Sequence, residues 1–311
     1  MPDYWNDLVA IQFNRINFLA ASGRLETSMA CRQALADAQK VLGHSLKMEN
    51  KHTRLECLYG LLGCLLMDVG LLDDAAAALD HSLKLRQKRC EDYPEYLGDW
   101  TGLALTHRKR GRLLTLAGRT REAEEAYLQA VACLQKVVEA APRCDFRRYE
   151  LALMLGELGW LYLLGPAQKE DARKALPMIE KALELAPDGG MCLRTLLGVA
   201  YYRRGKWDQA IRTLEEVRAS LEANNRSQRW KKADDSFLVQ SAGRREGAAP
   251  GLTLWFLAMS YQRKGEFRKA ACYYQQAQHW APHYRVAPYE AETIKSVESE
   301  ALRLRTADPQ R

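Results

Sequence analysis

The residues best suited to chemistry in this chain are its histidines, cysteines and paired acids, and their spacing decides what they can do. His279 and His283 stand four apart, an interval that would set two imidazoles on one helical face for a metal, but Ala281 and Pro282 interrupt the helix that would align them. They read as surface histidines at a helix end. Asp73 and Asp74 open a helix, where carboxylates complement the positive end of the helix dipole without any catalytic role. The eight cysteines, Cys31, Cys57, Cys64, Cys90, Cys133, Cys144, Cys192 and Cys272, include no Cys-x-x-Cys pair and lie mostly among apolar residues, which predicts reduced, buried thiols in a cytosolic protein. No catalytic residue, metal ligand or cofactor site emerges from these types. The chemistry left is recognition, through aromatic and arginine side chains of the kind that anchor protein interfaces.

Composition fits that reading. Charged residues make up 27% of the 311 and hydrophobic ones 47%, with 20 Gly and 10 Pro, as expected of a mostly helical chain with a sizeable core. The net charge is +7, but acids are interspersed with bases, so nucleic acid is permitted without being implied. The opening residues, MPDYWNDLVA, lack the basic region and apolar core of a secretory signal. The most apolar run, 57–67, is about half the length needed to span a bilayer. The expectation is a cytoplasmic protein with no membrane span.

The elements that must position the recognition residues are announced by a repeat. The run 251–282, GLTLWFLAMSYQRKGEFRKAACYYQQAQHWAP, places Leu257, Ala258, Tyr261, Gly265, Ala270, Tyr274, Ala277 and Pro282 as two helices joined by a tight turn require. Ala258 and Ala270 let two backbones approach closely while Tyr261 and Tyr274 fill the space beside them. Gly265 ends the first helix in a left-handed conformation, and Pro282 stops the second. These eight typed positions, matched without a gap, resemble the tetratricopeptide (TPR) repeat. The resemblance implies an all-α, right-handed TPR superhelix, because one hairpin cannot bury its apolar face alone.

Further turns are marked by Gly23, Gly70 and Gly118, spaced at 47 and 48 residues. The usual period is about 34, so the early units are expected to have extended helices, such as 94–117 and 119–140. The second unit carries Gly63, Leu66, Gly70, Ala75, Leu79 and Ser82, and the third Gly111, Leu114, Gly118, Ala123, Tyr127 and Ala130. In the fifth the series is Gly198, Tyr201, Gly205, Ala210, Leu214 and Val217. The first unit, with Ile16 and Ser28 at small-residue positions, reads as an atypical terminal repeat. The fourth has Gly159, Tyr162, Ala182 and Pro187, a longer turn at 166–171, and a Pro177 that would kink the second helix unless it falls in the first turns.

Residues 224–250 break the pattern. They are polar and aperiodic, with six basic residues against three acidic, and read as a flexible solvated insert, a contact with nucleic acid or an acidic partner being the alternative. Beyond them, YEAETIKSVESEALRLR sets Ile294, Val297, Ala301 and Leu304 on one stripe, as a capping helix does. The organisation expected is units one to five over 1–223, the insert at 224–250, and unit six with the cap over 251–306, giving six hairpins plus a C-terminal capping helix.

From LGWLYLL through KALELAPDGG, TLLGVAYYRRGKWDQAI and DSF to LWFLAMSYQRKGE, the chain resembles the C-terminal TPR regions of planctomycete-type bacterial serine/threonine protein kinases, most strongly over 151–282. In those tails the DSF segment leads almost directly into the next helix, whereas here 238–250 intervene. The resemblance implies a bacterial signalling setting, either as a free-standing scaffold or as such a tail, and it does not extend to the kinase. The sequence has no glycine-rich phosphate loop, HRD-type aspartate or DFG segment, and no Walker loop, Gly-x-Ser-x-Gly elbow or His-Glu-x-x-His helix.

In TPR arrays the first helix of each unit lines the concave face, and positions three before and one or four after the small residue point into it. Carried onto this sequence, that rule selects Phe13, Asn17, Arg108, Arg112, Trp160, Val199, Tyr202 with Arg203 beside it, Trp255, Met259 and Gln262. Arg108, Arg112, Trp160, Tyr202, Arg203, Trp255, Met259 and Gln262 are the expected partner-binding set, Trp160 and Trp255 being equally compatible with the core. The Lys and Asn clamp with which some TPR proteins hold chaperone tails has no match here. The function expected is a non-catalytic scaffold that holds a protein or peptide, with Arg203 pairing to a carboxylate or phosphate and Trp255 supplying apolar area. The alternatives are a basic repeat protein that binds nucleic acid and the C-terminal fragment of a kinase.

Overall fold

The computed structural model describes residues 55–68, 70–164, 168–187, 190–226, 249–280 and 288–306. Among them every regular element is a helix. In chain order these are α1 (Leu55–Asp68), α2 (Leu72–Asp92), α3 (Leu97–Leu116), α4 (Thr120–Ala140), α5 (Asp145–Leu164) and α6 (Gln168–Leu185). They are followed by α7 (Gly190–Arg203), α8 (Trp207–Arg226), α9 (Ala249–Arg263), α10 (Phe267–Trp280) and α11 (Pro288–Thr306). The chain is therefore all-α, with five described hairpins and a C-terminal helix. The first expected unit lies outside the described residues.

Four of the hairpins turn by the same two hydrogen bonds. At the joint of α7 and α8, the Gly205 amide donates to the Tyr202 carbonyl at 2.9 Å and the Lys206 amide to the Tyr201 carbonyl at 2.9 Å. The same pair recurs at Gly70 with Leu71, Gly118 with Arg119, and Gly265 with Glu266. This pattern satisfies the carbonyls left open at a helix end and requires a left-handed residue, which glycine adopts without a Cβ penalty. Gly205 sits at φ 73° and Gly265 at φ 77°, the second as the sequence predicts.

Within each hairpin the backbones meet where the small residues stand. A Cβ on Gly63 would lie 2.6 Å from Leu79 Cγ, one on Gly111 would lie 2.9 Å from the Tyr127 ring, and one on Gly198 would lie 2.5 Å from the Leu214 side chain. Each glycine is thus the hole that receives a side chain of the second helix.

The chain divides into two compact units, 1–137 and 138–311. In the first, α1 packs on α2 and α3 around Tyr59, Leu62, Leu66, Ala75, Leu79 and Leu113. Ser82 is wholly enclosed there because its hydroxyl donates to the Glu56 carbonyl at 2.6 Å and lies 3.3 Å from the Thr106 hydroxyl. In the second unit the odd-numbered helices form one row, α5 against α7, α7 against α9 and α9 against α11, with α6, α8 and α10 paired behind them. The most enclosed element is α9, whose Leu252, Trp255, Phe256, Leu257, Ala258 and Met259 have no exposed surface.

Two boundaries and the place of one proline differ from the sequence reading. Helix α8 runs on to Arg226 and α9 starts at Ala249, so helix takes both edges of the expected insert, and 227–248 lie outside the described residues. Pro177 falls in the middle of α6 rather than in its first turns, and the helix continues through it. Both Pro177 and Arg173, whose carbonyl loses its helical donor, are exposed residues.

Candidate functional site

The C-terminal turn of α7 delivers Tyr202 and Arg203 to the face where α9 presents Phe256. Tyr202 meets the Phe256 ring edge-on at 5.2 Å between centroids and the Trp207 ring at 5.3 Å. The Arg203 guanidinium lies over Phe256 at 5.3 Å and over Tyr202 at 5.7 Å, and Arg263 covers Trp207 at 6.0 Å. Two cations are therefore held over aromatic faces, where ring quadrupoles attract them. Burial pushes the Tyr202 hydroxyl above its ordinary value, the Glu300 carboxylate adds to the rise, and the hydrogen bond from Arg263 opposes it.

Arg203 makes the defining contact of this site. Its two terminal nitrogens donate to the two carboxylate oxygens of Glu300 on α11, at 2.5 and 2.8 Å. Such a parallel fork is the strongest geometry an arginine and a carboxylate can form. The pair is sheltered, with side-chain exposures of 10% for Arg203 and 28% for Glu300.

The sequence-selected residues fall into three groups. Tyr202 and Arg203 lie together, Tyr202 buried against Phe256 and Trp207 and Arg203 tied to the chain's own α11. Trp160, Trp255 and Met259 are corrected to core: Trp160 is 5% exposed and the other two are fully enclosed, so none presents surface to a partner in this conformation. Trp255 packs instead against Tyr274 of α10 at 6.2 Å. Gln262 is half-buried at the end of α9. Arg108 and Arg112 belong to α3 in the other compact unit, where Arg108 is buried and Arg112 half-buried.

Four residues of the site were not selected from sequence. Phe256 sits two positions before Ala258, a register the groove rule skips, and Trp207 belongs to a second helix. Arg263 and Glu300 are polar residues whose partners are remote in the chain. On the opposite side of α9, Glu215 of α8 accepts from Tyr261 at 3.1 Å and from Tyr273 of α10 at 2.5 Å, and from Arg218 at 2.9 Å. Burial raises the Glu215 carboxyl, but the bonds from Tyr273, Arg218 and Tyr261 outweigh it and hold the group below its ordinary value. Among the described residues, no group of three His, Cys, Asp or Glu is placed to hold a metal, and no helix is long and apolar enough to cross a membrane.

Paired helices closed by a glycine turn, and stacked through small-residue contacts, are the structural class of the tetratricopeptide repeat. Residues 167–231 match the family model described as tetratricopeptide repeat. No curated protein matches the sequence. Among solved structures, the chain is similar to BtubC (BKLC) from P. vanneervenii, with a TM-score of 0.57 and 18% identity over 84% of this chain and 96% of that one. It also aligns with a tetratricopeptide repeat protein from Parabacteroides merdae (TM-score 0.42, 14% identity, 95% and 99% of the two chains). A third is YrrB, described as a TPR protein with an unusual peptide-binding site (TM-score 0.40, 17% identity, 82% and 97%). At such identities the likeness to BtubC is one of fold.

Proposed function

We propose that this chain is a non-catalytic scaffold that holds a protein or peptide partner on the face of its first helices. The observation that carries the reading is the fork between Arg203 and Glu300 beside Tyr202 and Phe256, because it supports this face as a surface able to hold a helix by charge and aromatic contact. Of the groove residues selected from sequence, the half-buried Gln262 in the α9 unit and Arg112 in the α3 unit enter as its candidate contacts. Nucleic acid is disfavoured by the cations already engaged with acids: Arg110 with Asp80, Arg218 with Glu215 and Glu222, and Lys264 with Asp208 and Glu266. A signalling context is proposed on the resemblance to kinase tails read from the sequence of 151–282 alone, which sequence upstream of Met1 in the source genome would test.

The scaffold itself is tested by photo-crosslinking the full chain in extract of the source cell. A photoreactive residue at Gln262 or Arg112 should capture a discrete protein, and one at exposed Gln276 on α10 should not. Capture at Gln276 alone would overturn the face assignment. Retention of nucleic acid instead, weakening steeply as salt rises, would overturn the scaffold reading.

A further inference from the structure

Helix α11 does more than close the last hairpin. A plain cap stacked as the next member of the row would touch α9 and α10, and α11 does both, its Arg305 lying 5.6 Å over the Tyr274 ring. It also reaches past α9 to α7, since Glu300 engages Arg203 across a separation of 97 residues. Neighbouring helices pack about 8–10 Å apart, and it is the length of these two side chains that carries α11 to the second helix along the row. Its enclosed stripe is Ile294, Val297 and Ala301, with Glu300 beside it as the acidic tooth.

This fit is incomplete. Arg203 spends its terminal nitrogens on Glu300, while its Nε is buried without an acceptor. Trp255 Nε1 on α9 and Arg305 Nε on α11 are likewise buried without one. A buried donor left unpaired is costly, so Arg203 Nε weakens the hold of the α11 seat on α7. A different helix that carried a further acceptor at that point would seat better.

We propose, resting on the scaffold reading above, that α11 is the resident occupant of a helix-receiving face formed by α7 and α9. The partner is then an acidic amphipathic helix: an apolar stripe at the spacing of Ile294, Val297 and Ala301, with a carboxylate where Glu300 stands to take Arg203. Such a helix binds by displacing α11, so α11 sets the threshold for binding. In a two-state seat, the affinity for a competitor falls by the fraction of chains whose face is vacant.

The test uses the full chain and a fluorescent peptide of residues 288–306 as competitor. The peptide should bind the native chain weakly and full-chain Glu300→Arg about tenfold more tightly, because that chain's own α11 is repelled by Arg203. The double variant Glu300→Arg with Arg203→Glu should restore the seat by exchange of charge, so that a peptide of 288–306 carrying the matching Glu300→Arg change binds it only at the weak level. Equal affinity of the peptide for native and Glu300→Arg chains would overturn the proposal. Loss of helical signal in both Glu300→Arg and the milder Glu300→Gln would also overturn it, by making α11 an indispensable wall of the core. A Glu300→Arg chain that became a dimer by exchanging α11 would replace the partner helix with a second copy. Should crosslinking capture a protein at Arg112 while peptide affinities stay equal, the scaffold reading stands and this one falls; peptide competition with no captured protein would overturn the partner helix along with the scaffold reading and leave α11 a displaceable cap.

Discussion

Trp255 is fully enclosed and packs on Tyr274, so its contribution is measured in stability rather than in contact with a partner. Trp255→Ala leaves a cavity that the surrounding helices close only in part, and is expected to cost about 3–5 kcal/mol of unfolding free energy. Chemical denaturation checks it, and a change below about 1 kcal/mol would return Trp255 to the surface. A second test at this scale is His107, which burial, helped by the charge of Arg110, pushes down to about 4 from an ordinary 6.5. Above pH 6.5 the folded and unfolded chains bind the same protons at this site, so His107 adds no pH dependence there. Between pH 6.5 and 4 the unfolded chain takes up a proton that the folded one refuses, and stability should fall by about 3 kcal/mol across that window. His107→Gln should flatten that part of the stability profile. These two residues also mark what was legible at this scale. The burial of His107 follows from no local pattern, and Trp255 satisfied both a groove rule and a core rule because its register serves either.

At the scale of the element, most of the fold was legible, since a hairpin is specified within about 34 residues of sequence. Gly111 and Tyr127, or Gly198 and Leu214, announce their contact by type and spacing alone, and the structure joins each pair. The tie between Arg203 and Glu300 could not be read in this way: 97 residues separate them, and either alone is an ordinary surface charge. Two glycines of one fold should fail for different reasons. Gly198→Ala places a methyl group against Leu214 and is expected to cost about 1–3 kcal/mol through overpacking. A Cβ on Gly265 would meet no atom within 4 Å beyond its chain neighbours, so Gly265→Ala meets only the left-handed backbone and should cost about 1–2 kcal/mol. Gly265→Asn should recover part of that loss, whereas Gly198→Asn should be worse than Ala. Thermal melts of the four variants separate the two mechanisms. The tyrosine tie of α8 to α10 makes a further prediction, that Glu215→Ala strips two hydroxyls of their acceptor and lowers the melting temperature more than Tyr273→Phe does.

For the molecule as a whole, the division at residue 137 or 138 falls inside α4, at a point where no change in composition marks it. The sequence suggested its break at the insert instead, because a polar aperiodic run is visible in a way that the distribution of tertiary contacts is not. Two compact units predict unfolding in two steps rather than one, since repeat stability is a sum of local and nearest-neighbour terms. In urea, Gly198→Ala should move only the transition of the 138–311 unit, and acidification should move that of the 1–137 unit through His107. A single transition displaced by both changes would show one cooperative body. The recurring turn at Gly70, Gly118, Gly205 and Gly265 carries a consequence for heredity. Each of these joints is the same chemical object, so a gene that gains or loses one hairpin at a time re-forms a junction the protein already knows how to make. Lengthening by whole numbers is therefore the gentlest way for such a chain to change size, and a fractional insertion strands a helix face with nothing to receive it.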